Sequence, residues 1–169
     1  HRYPDRQATE LRGRLAAQHG VAPGQVFVAN GSNEVLQTLS LAYGGPGRSI
    51  AVFEPTYAMH SQIARITGAT VATGFRGEDL ALDLDEVRRI IAEARPAITY
   101  LCSPNNPTGM VETAETVTEV LGLVEDVGGL LVVDEAYGQF APWSALELLS
   151  EDRSLVVTRT YSKTWSMAA

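Results

Sequence analysis

Cysteine is almost missing. Cys102 stands alone in 169 residues, so no intrachain disulfide framework can form, and a reducing compartment, the cytoplasm, is expected. Long hydrophobic runs are missing too: no apolar stretch reaches the length that crosses a bilayer and no secretory h-region is seen, so no membrane partner is expected. Positive charge is scarce, with 13 Lys and Arg against 20 Asp and Glu, a net charge of -7 and no long run of one sign. That balance argues against a nucleic-acid or acidic-membrane surface and is read as solubility. His1, His19 and His60 are far apart without ligand spacing, and Cys102 adjoins an apolar run. They are read as surface or core residues, and no metal is expected. Internal repeats, low-complexity tracts and interdomain linkers are also missing, and Gly44 to Gly47 is read as a turn.

Apolar residues make up 45% of the chain and charged residues 20%, an ordinary globular composition, and the length suffices for one domain with a sizeable core. One domain over 1–169 is therefore expected. The chain starts inside a polar segment (His1 to Asp5) and stops at Trp165 to Ala169 with no helix stop signal, so a piece incomplete at both ends is expected.

Leu11, Leu15 and Ala16 fall at helical spacing ahead of His19 and Gly20, which predicts a helix over 6–19, and a short β run follows at 25–29. Asn30 to Glu34 then opens a second helical pattern (Val35, Leu36, Leu39, Ala42), and the polar and glycine residues at that junction make a natural anion site. Apolar runs predict strands at 49–53, 69–73, 97–102, 130–134 and 154–158, with helices at 56–67, 83–94 and 113–126. The last three strands are apolar almost throughout, the signature of burial on both faces of a largely parallel sheet. Such alternation implies a doubly wound α/β layer, which binds ligands at the carboxyl ends of its strands.

Three polar motifs fall at those ends. Ser103 to Gly109 (S-P-N-N-P-T-G) sets two asparagines between prolines in a rigid loop, which is equally a structural turn. Asp134, followed by Glu135, Ala136 and Tyr137, ends an apolar strand with a carboxylate that needs a partner. Thr160 to Lys163 brings two hydroxyls and an amine to one strand end. A lysine there can act as a Schiff-base nucleophile, although a solvated surface lysine is the commoner case.

In this order the motifs S-P-N-N-P-T-G, D-E-A-Y and T-x-S-K resemble the fold-type I pyridoxal-phosphate aminotransferases. The resemblance covers essentially the whole chain and is closest to the histidinol-phosphate aminotransferase branch, through Arg2-Tyr3-Pro4, Gly31 to Glu34 and Pro55-Thr56-Tyr57. It implies a three-layer α/β/α fold with a mostly parallel sheet, the large cofactor-binding domain of that fold type. It also implies pyridoxal 5'-phosphate held covalently on Lys163, whose freed amine then acts as the base at Cα. Asp134 would face the ring nitrogen, Asn106 and Tyr137 the phenolic oxygen, and Tyr57 the ring face. The phosphate would rest on the amides of Ser32 and Asn33, with Gly31 allowing close approach and Thr160 and Ser162 adding hydroxyls. Tyr3 would reach the phosphate of a neighbouring subunit, which implies a homodimer. Small-molecule partners follow, an amino donor and a 2-oxo acid.

Relatives carry a phosphate-binding arginine beyond the lysine and a small C-terminal domain whose arginine grips the substrate carboxylate. Neither falls within 1–169, so the chain alone is expected to be impaired. Histidinol phosphate is the expected donor and 2-oxoglutarate the acceptor. An aromatic amino-acid aminotransferase, a related lyase or decarboxylase, and a non-catalytic scaffold or dimerisation domain stand as alternatives. A dinucleotide-binding domain is disfavoured because no strand is followed by G-x-G-x-x-G with an acidic residue about twenty positions on.

Overall fold

Short runs of Val, Ile and Leu bounded by polar turns become the strands β1 (Ser49–Glu54), β2 (Thr70–Phe75), β3 (Ile98–Cys102), β4 (Leu130–Asp134) and β5 (Leu155–Thr158). Between and before them run the helices α1 (Thr9–His19), α2 (Ser32–Tyr43), α3 (Met59–Ile66), α4 (Leu84–Ala94) and α5 (Ala114–Asp126). This computed structural model describes residues 3–167. Arg2 of the R-Y-P segment, His1, Ala168 and Ala169 lie outside the described residues. The chain falls into two units, one up to Asn30 and one from Gly31 onward.

In the larger unit all strand pairings are parallel, in the order β2-β1-β3-β4-β5. Successive side chains of a strand point to opposite faces. Ile50, Val52, Ile98, Tyr100 and Val132 therefore share one face, packed with Leu36 of α2 and Ile63 and Ala64 of α3. Ala51, Phe53, Leu101, Leu131 and Val133 share the other, against Val87 and Ile91 of α4 and Val117, Leu121 and Val124 of α5. The result is the expected three-layer α/β/α arrangement. Burying each such aliphatic or aromatic side chain contributes about 1.5–3 kcal/mol, which is why both faces must be covered.

The strand order reverses between β1 and β3, the point at which open α/β sheets leave a crevice for ligand. Those two strands are in register only at Ile50↔Ile98 and Ala51↔Thr99, whereas β3 and β4 stay paired through Cys102↔Asp134. Asp83 caps α4 by accepting from the amides of Asp85 and Glu86, and Thr113 caps α5 through the amide of Thr116. At α2 the cap position is Gly31, at φ 80°, which has no side chain to accept from the first amides.

Three expected elements differ. Residues 25–29 are not a strand, because Pro23–Gln25 closes a 3-10 turn and the extended backbone after Val26 pairs with no strand among the described residues. The first helix begins at Thr9 rather than at 6, since the Asp5 carboxylate binds the amides of Gln7 and Thr9 and holds the intervening residues in a turn. Of its apolar stripe only Ala16 is buried, and Leu11 is exposed. The helix expected over 56–67 starts at Met59, because Glu54 accepts the Thr56 amide and keeps the residues after β1 in a turn.

Candidate functional site

Asp134 ends β4 with its side chain 1% exposed, and it does find partners. One oxygen, Oδ1, accepts from the Ala136 amide at 3.2 Å and from Thr158 Oγ1 at 3.1 Å, directly across the β4–β5 register. The other, Oδ2, lies 3.0 Å from His60 Nε2. A carboxylate oxygen accepts here, so Nε2 carries the proton and Nδ1, buried, is left without a partner among the described residues. His60 is itself fully buried on α3, stacked on the Tyr100 ring with centroids 4.7 Å apart and meeting the edge of Tyr57 at 5.4 Å.

The charge on Asp134 is felt nearby. Burial pushes the Cys102 thiol up to about 12, and the Asp134 carboxylate adds to the rise. The Tyr100 hydroxyl is raised to about 12, again chiefly by burial, against the opposing pull of its hydrogen bond with Ser40.

The two asparagines of the loop after β3 part company. Asn105 is buried and joins the loops flanking the β1–β3 crevice, accepting from Thr56 Oγ1 at 2.8 Å and donating to the Pro55 carbonyl and Thr108 Oγ1. The side chain of its neighbour Asn106 makes no hydrogen bond among the described residues and lines a cleft of about 320 Å³ with Pro107, Gly109, Tyr137 and Phe140. Tyr57, after β1, donates to Asn33 Oδ1 at 3.2 Å and so ties the start of α2 to the end of β1.

Beyond β5, Thr160 Oγ1 and Ser162 Oγ lie 2.7 Å apart, and the Ser162 amide also donates to Thr160. Lys163 follows, exposed, with no hydrogen bond or ion pair for its amine among the described residues. It is the only lysine in the chain, the other twelve basic residues being arginines.

The carboxyl ends of β1, β3, β4 and β5 thus carry Tyr57, Asn106, Asp134, Tyr137, Thr160, Ser162 and Lys163, with Ser32 and Asn33 brought to the same region through the Tyr57 hydrogen bond. Tyr3 lies in the smaller unit and is 83% exposed. Sequence patterns missed two groups. His60 lies on α3, and its contact with Asp134, 74 positions away, leaves no local pattern to read. The second group is the cluster of Glu135, Arg159 and Ser144, for which two successive carboxylates after an apolar strand are the only hint.

The parallel α/β layer presents an amine, a buried carboxylate, a phenol and a side-chain amide at its strand ends, where open α/β sheets bind ligands. The chain belongs to the aminotransferase class I and II family, which it matches over residues 1–169. It is 48% identical to the histidinol-phosphate aminotransferase of Frankia casuarinae, over 99% of this chain and 45% of that protein. The histidinol-phosphate aminotransferase of Streptomyces avermitilis is 46% identical, over 98% and 47%. Among solved structures, histidinol-phosphate aminotransferase from Sinorhizobium meliloti in complex with pyridoxal-5'-phosphate superposes with a TM-score of 0.89 at 25% identity, over 99% of this chain and 46% of that one. The chain spans about half the length of the curated relatives it matches.

Proposed function

We propose that the protein carrying this chain is a pyridoxal-phosphate-dependent aminotransferase that moves an amino group between histidinol phosphate and 2-oxoglutarate in histidine biosynthesis. Residues 1–169 would form most of its single cofactor-binding domain. The observation that carries this reading is the pairing, at adjacent strand ends, of a buried, fully partnered carboxylate, Asp134, with the chain's sole lysine, Lys163. The likeness to two histidinol-phosphate aminotransferases at 46–48% identity supports the choice of donor.

The residues fit the cofactor. A protonated ring nitrogen requires a buried carboxylate, and Asp134 offers one held by donors on both oxygens. A phenolic oxygen requires donors, and Asn106 and Tyr137 face one cleft without other side-chain partners among the described residues. A phosphate requires amides and hydroxyls: α2 begins at Ser32 and Asn33 after a glycine that offers no side-chain cap, and a side chain added at Gly31 would meet nothing within 4 Å. Thr160 and Ser162 supply the hydroxyls.

When bound, pyridoxal phosphate supplies an electron sink for the charge left at a substrate carbon. Lys163 would hold it covalently, and the freed Lys163 amine would be the base that moves a proton from the substrate Cα to the C4′ carbon. Asp134 would keep the ring nitrogen protonated, its carboxylate fixed by His60 and Thr158. Asn106 and Tyr137 would stabilise the phenolate, and Tyr57 would cover the ring. Tyr3 is proposed to reach the phosphate in a second subunit of a cytoplasmic homodimer that needs neither nucleic acid nor membrane.

The intact protein, given a panel of amino donors with 2-oxoglutarate, is expected to turn over histidinol phosphate fastest and to lose at least about 10³-fold in kcat on Lys163→Ala. Preference for an aromatic amino acid would reassign the donor. Turnover unaffected by Lys163→Ala would reject the mechanism.

A further inference from the structure

Glu135 and Arg159 occupy the positions immediately after the registered pair Asp134↔Thr158. The ladder runs on through them, since the Glu135 amide donates to the Thr158 carbonyl at 2.9 Å. Because side chains alternate across the sheet, Asp134 turns to the His60 face and Glu135 to the opposite one. There the Glu135 carboxylate, 4% exposed, receives Arg159 Nε at 3.0 Å and Arg159 Nη2 at 2.7 Å, both on Oε2. Ser144 Oγ donates to the same carboxylate at 2.8 Å, the Ala145 amide donates to Oε1 at 2.6 Å, and Arg159 Nη2 also reaches Ser144 Oγ at 2.9 Å.

Burying a carboxylate is costly unless it is fully partnered, so the buried Glu135 holds the part-exposed Arg159 and Ser144 in one arrangement. The members of this cluster belong to two different loops. Glu135 leads into Tyr137, with the Gly138 amide bonded back to the Glu135 carbonyl at 2.9 Å. Arg159 leads into Thr160, Ser162 and Lys163. Position 138 is also packed onto the cluster: a Cβ there would meet Glu135 Cβ at 3.1 Å, Glu135 Oε2 at 3.2 Å and Arg159 Nη2 at 3.6 Å.

We propose that Arg159, gripped by Glu135 and Ser144, is a positioning residue that locks the Lys163 loop to the Asp134–Tyr137 loop and so sets where the Lys163 amine is presented. The proposal rests on the functional reading above. Arg159 touches neither cofactor nor substrate in this account and acts through Lys163 alone.

The test compares the intact protein with Arg159→Gln, which removes the ion pair, and with Gly138→Ala, which presses on the cluster and leaves every charge in place. Cofactor-free protein is mixed with pyridoxal phosphate, attachment is trapped at timed intervals with borohydride, and the labelled peptide is mapped. The pH midpoint of the visible absorbance change of the loaded protein is read alongside, together with thermal unfolding. Both variants are expected to stay folded, to attach pyridoxal phosphate to Lys163 about 10–100-fold more slowly, and to shift that pH midpoint, because small misplacements of a reacting group cost this much. Wild-type attachment rates and an unmoved midpoint in folded variants would overturn the proposal and leave the cluster a mere brace. A wild-type protein that takes no label at Lys163 would instead overturn the functional reading, and this inference with it.

Discussion

His60 Nε2 and Asp134 Oδ2 lie 3.0 Å apart with both side chains withdrawn from solvent, and no other side-chain donor reaches that oxygen among the described residues. The carboxylate at the end of β4 is thus held from α3 on one oxygen and from β5 and its own loop on the other. Removing His60 leaves Oδ2 buried without its donor and opens a gap beneath the Tyr100 ring.

His60→Ala is accordingly expected to destabilise the fold by about 2–4 kcal/mol, combining the lost partner with the cavity. It should also speed loss of pyridoxal phosphate from the intact protein, because Asp134 is then free to turn. Urea unfolding and the rate of cofactor release check the two effects separately. Unchanged release with lowered stability would confine His60 to a packing role.

The paired asparagines of the loop after β3 are expected to separate the same two quantities. Asn105→Ala removes the links to Thr56, Pro55 and Thr108, and should cost about 1–3 kcal/mol of stability. Asn106→Ala touches no such bond and should leave stability within about 0.5 kcal/mol while weakening pyridoxal phosphate binding. Unfolding curves of the two variants beside a cofactor titration make the comparison.

The sheet is legible in the sequence because its strands are buried on both faces, and apolar runs such as Leu130 to Val133 have few other destinies. The ends of α1 and α3 are not, since each depends on a single acidic side chain, Asp5 or Glu54, reaching back to an amide. Residues 25–29 read as a strand because Val26, Phe27 and Val28 favour extended backbone, but a strand exists only where a partner is offered. Of the residues proposed for the site, Asp134 stands out in the sequence because it ends an apolar run, and Tyr137 and Lys163 because they lie in polar segments that follow such runs. His60 and the Glu135–Arg159 cluster are not, because what defines them is contact between elements 24 to 74 positions apart.

Alkaline pH should destabilise the protein through two buried groups. Cys102 and Tyr100 have folded-state values raised to about 12 from ordinary values of 9.0 and 10.0. Above those ordinary values the unfolded chain releases protons that the folded one keeps, so stability is full below about pH 9 and falls from there through about pH 12. Urea midpoints measured across that window are expected to decline, and Cys102→Ala and Tyr100→Phe should each flatten the slope. The same burial predicts that Cys102 stays unalkylated in the native protein and reacts only after unfolding.

The central claim is that Lys163 holds pyridoxal phosphate, and it is tested most directly by covalent trapping. The protein is incubated with pyridoxal phosphate, reduced with borohydride, digested and mapped by mass spectrometry, with Lys163→Ala in parallel. A phosphopyridoxyl group is expected on the peptide spanning Thr160 to Thr164, attached to Lys163 and absent from the variant. Label on another amine, or equal label on both proteins, would contradict it.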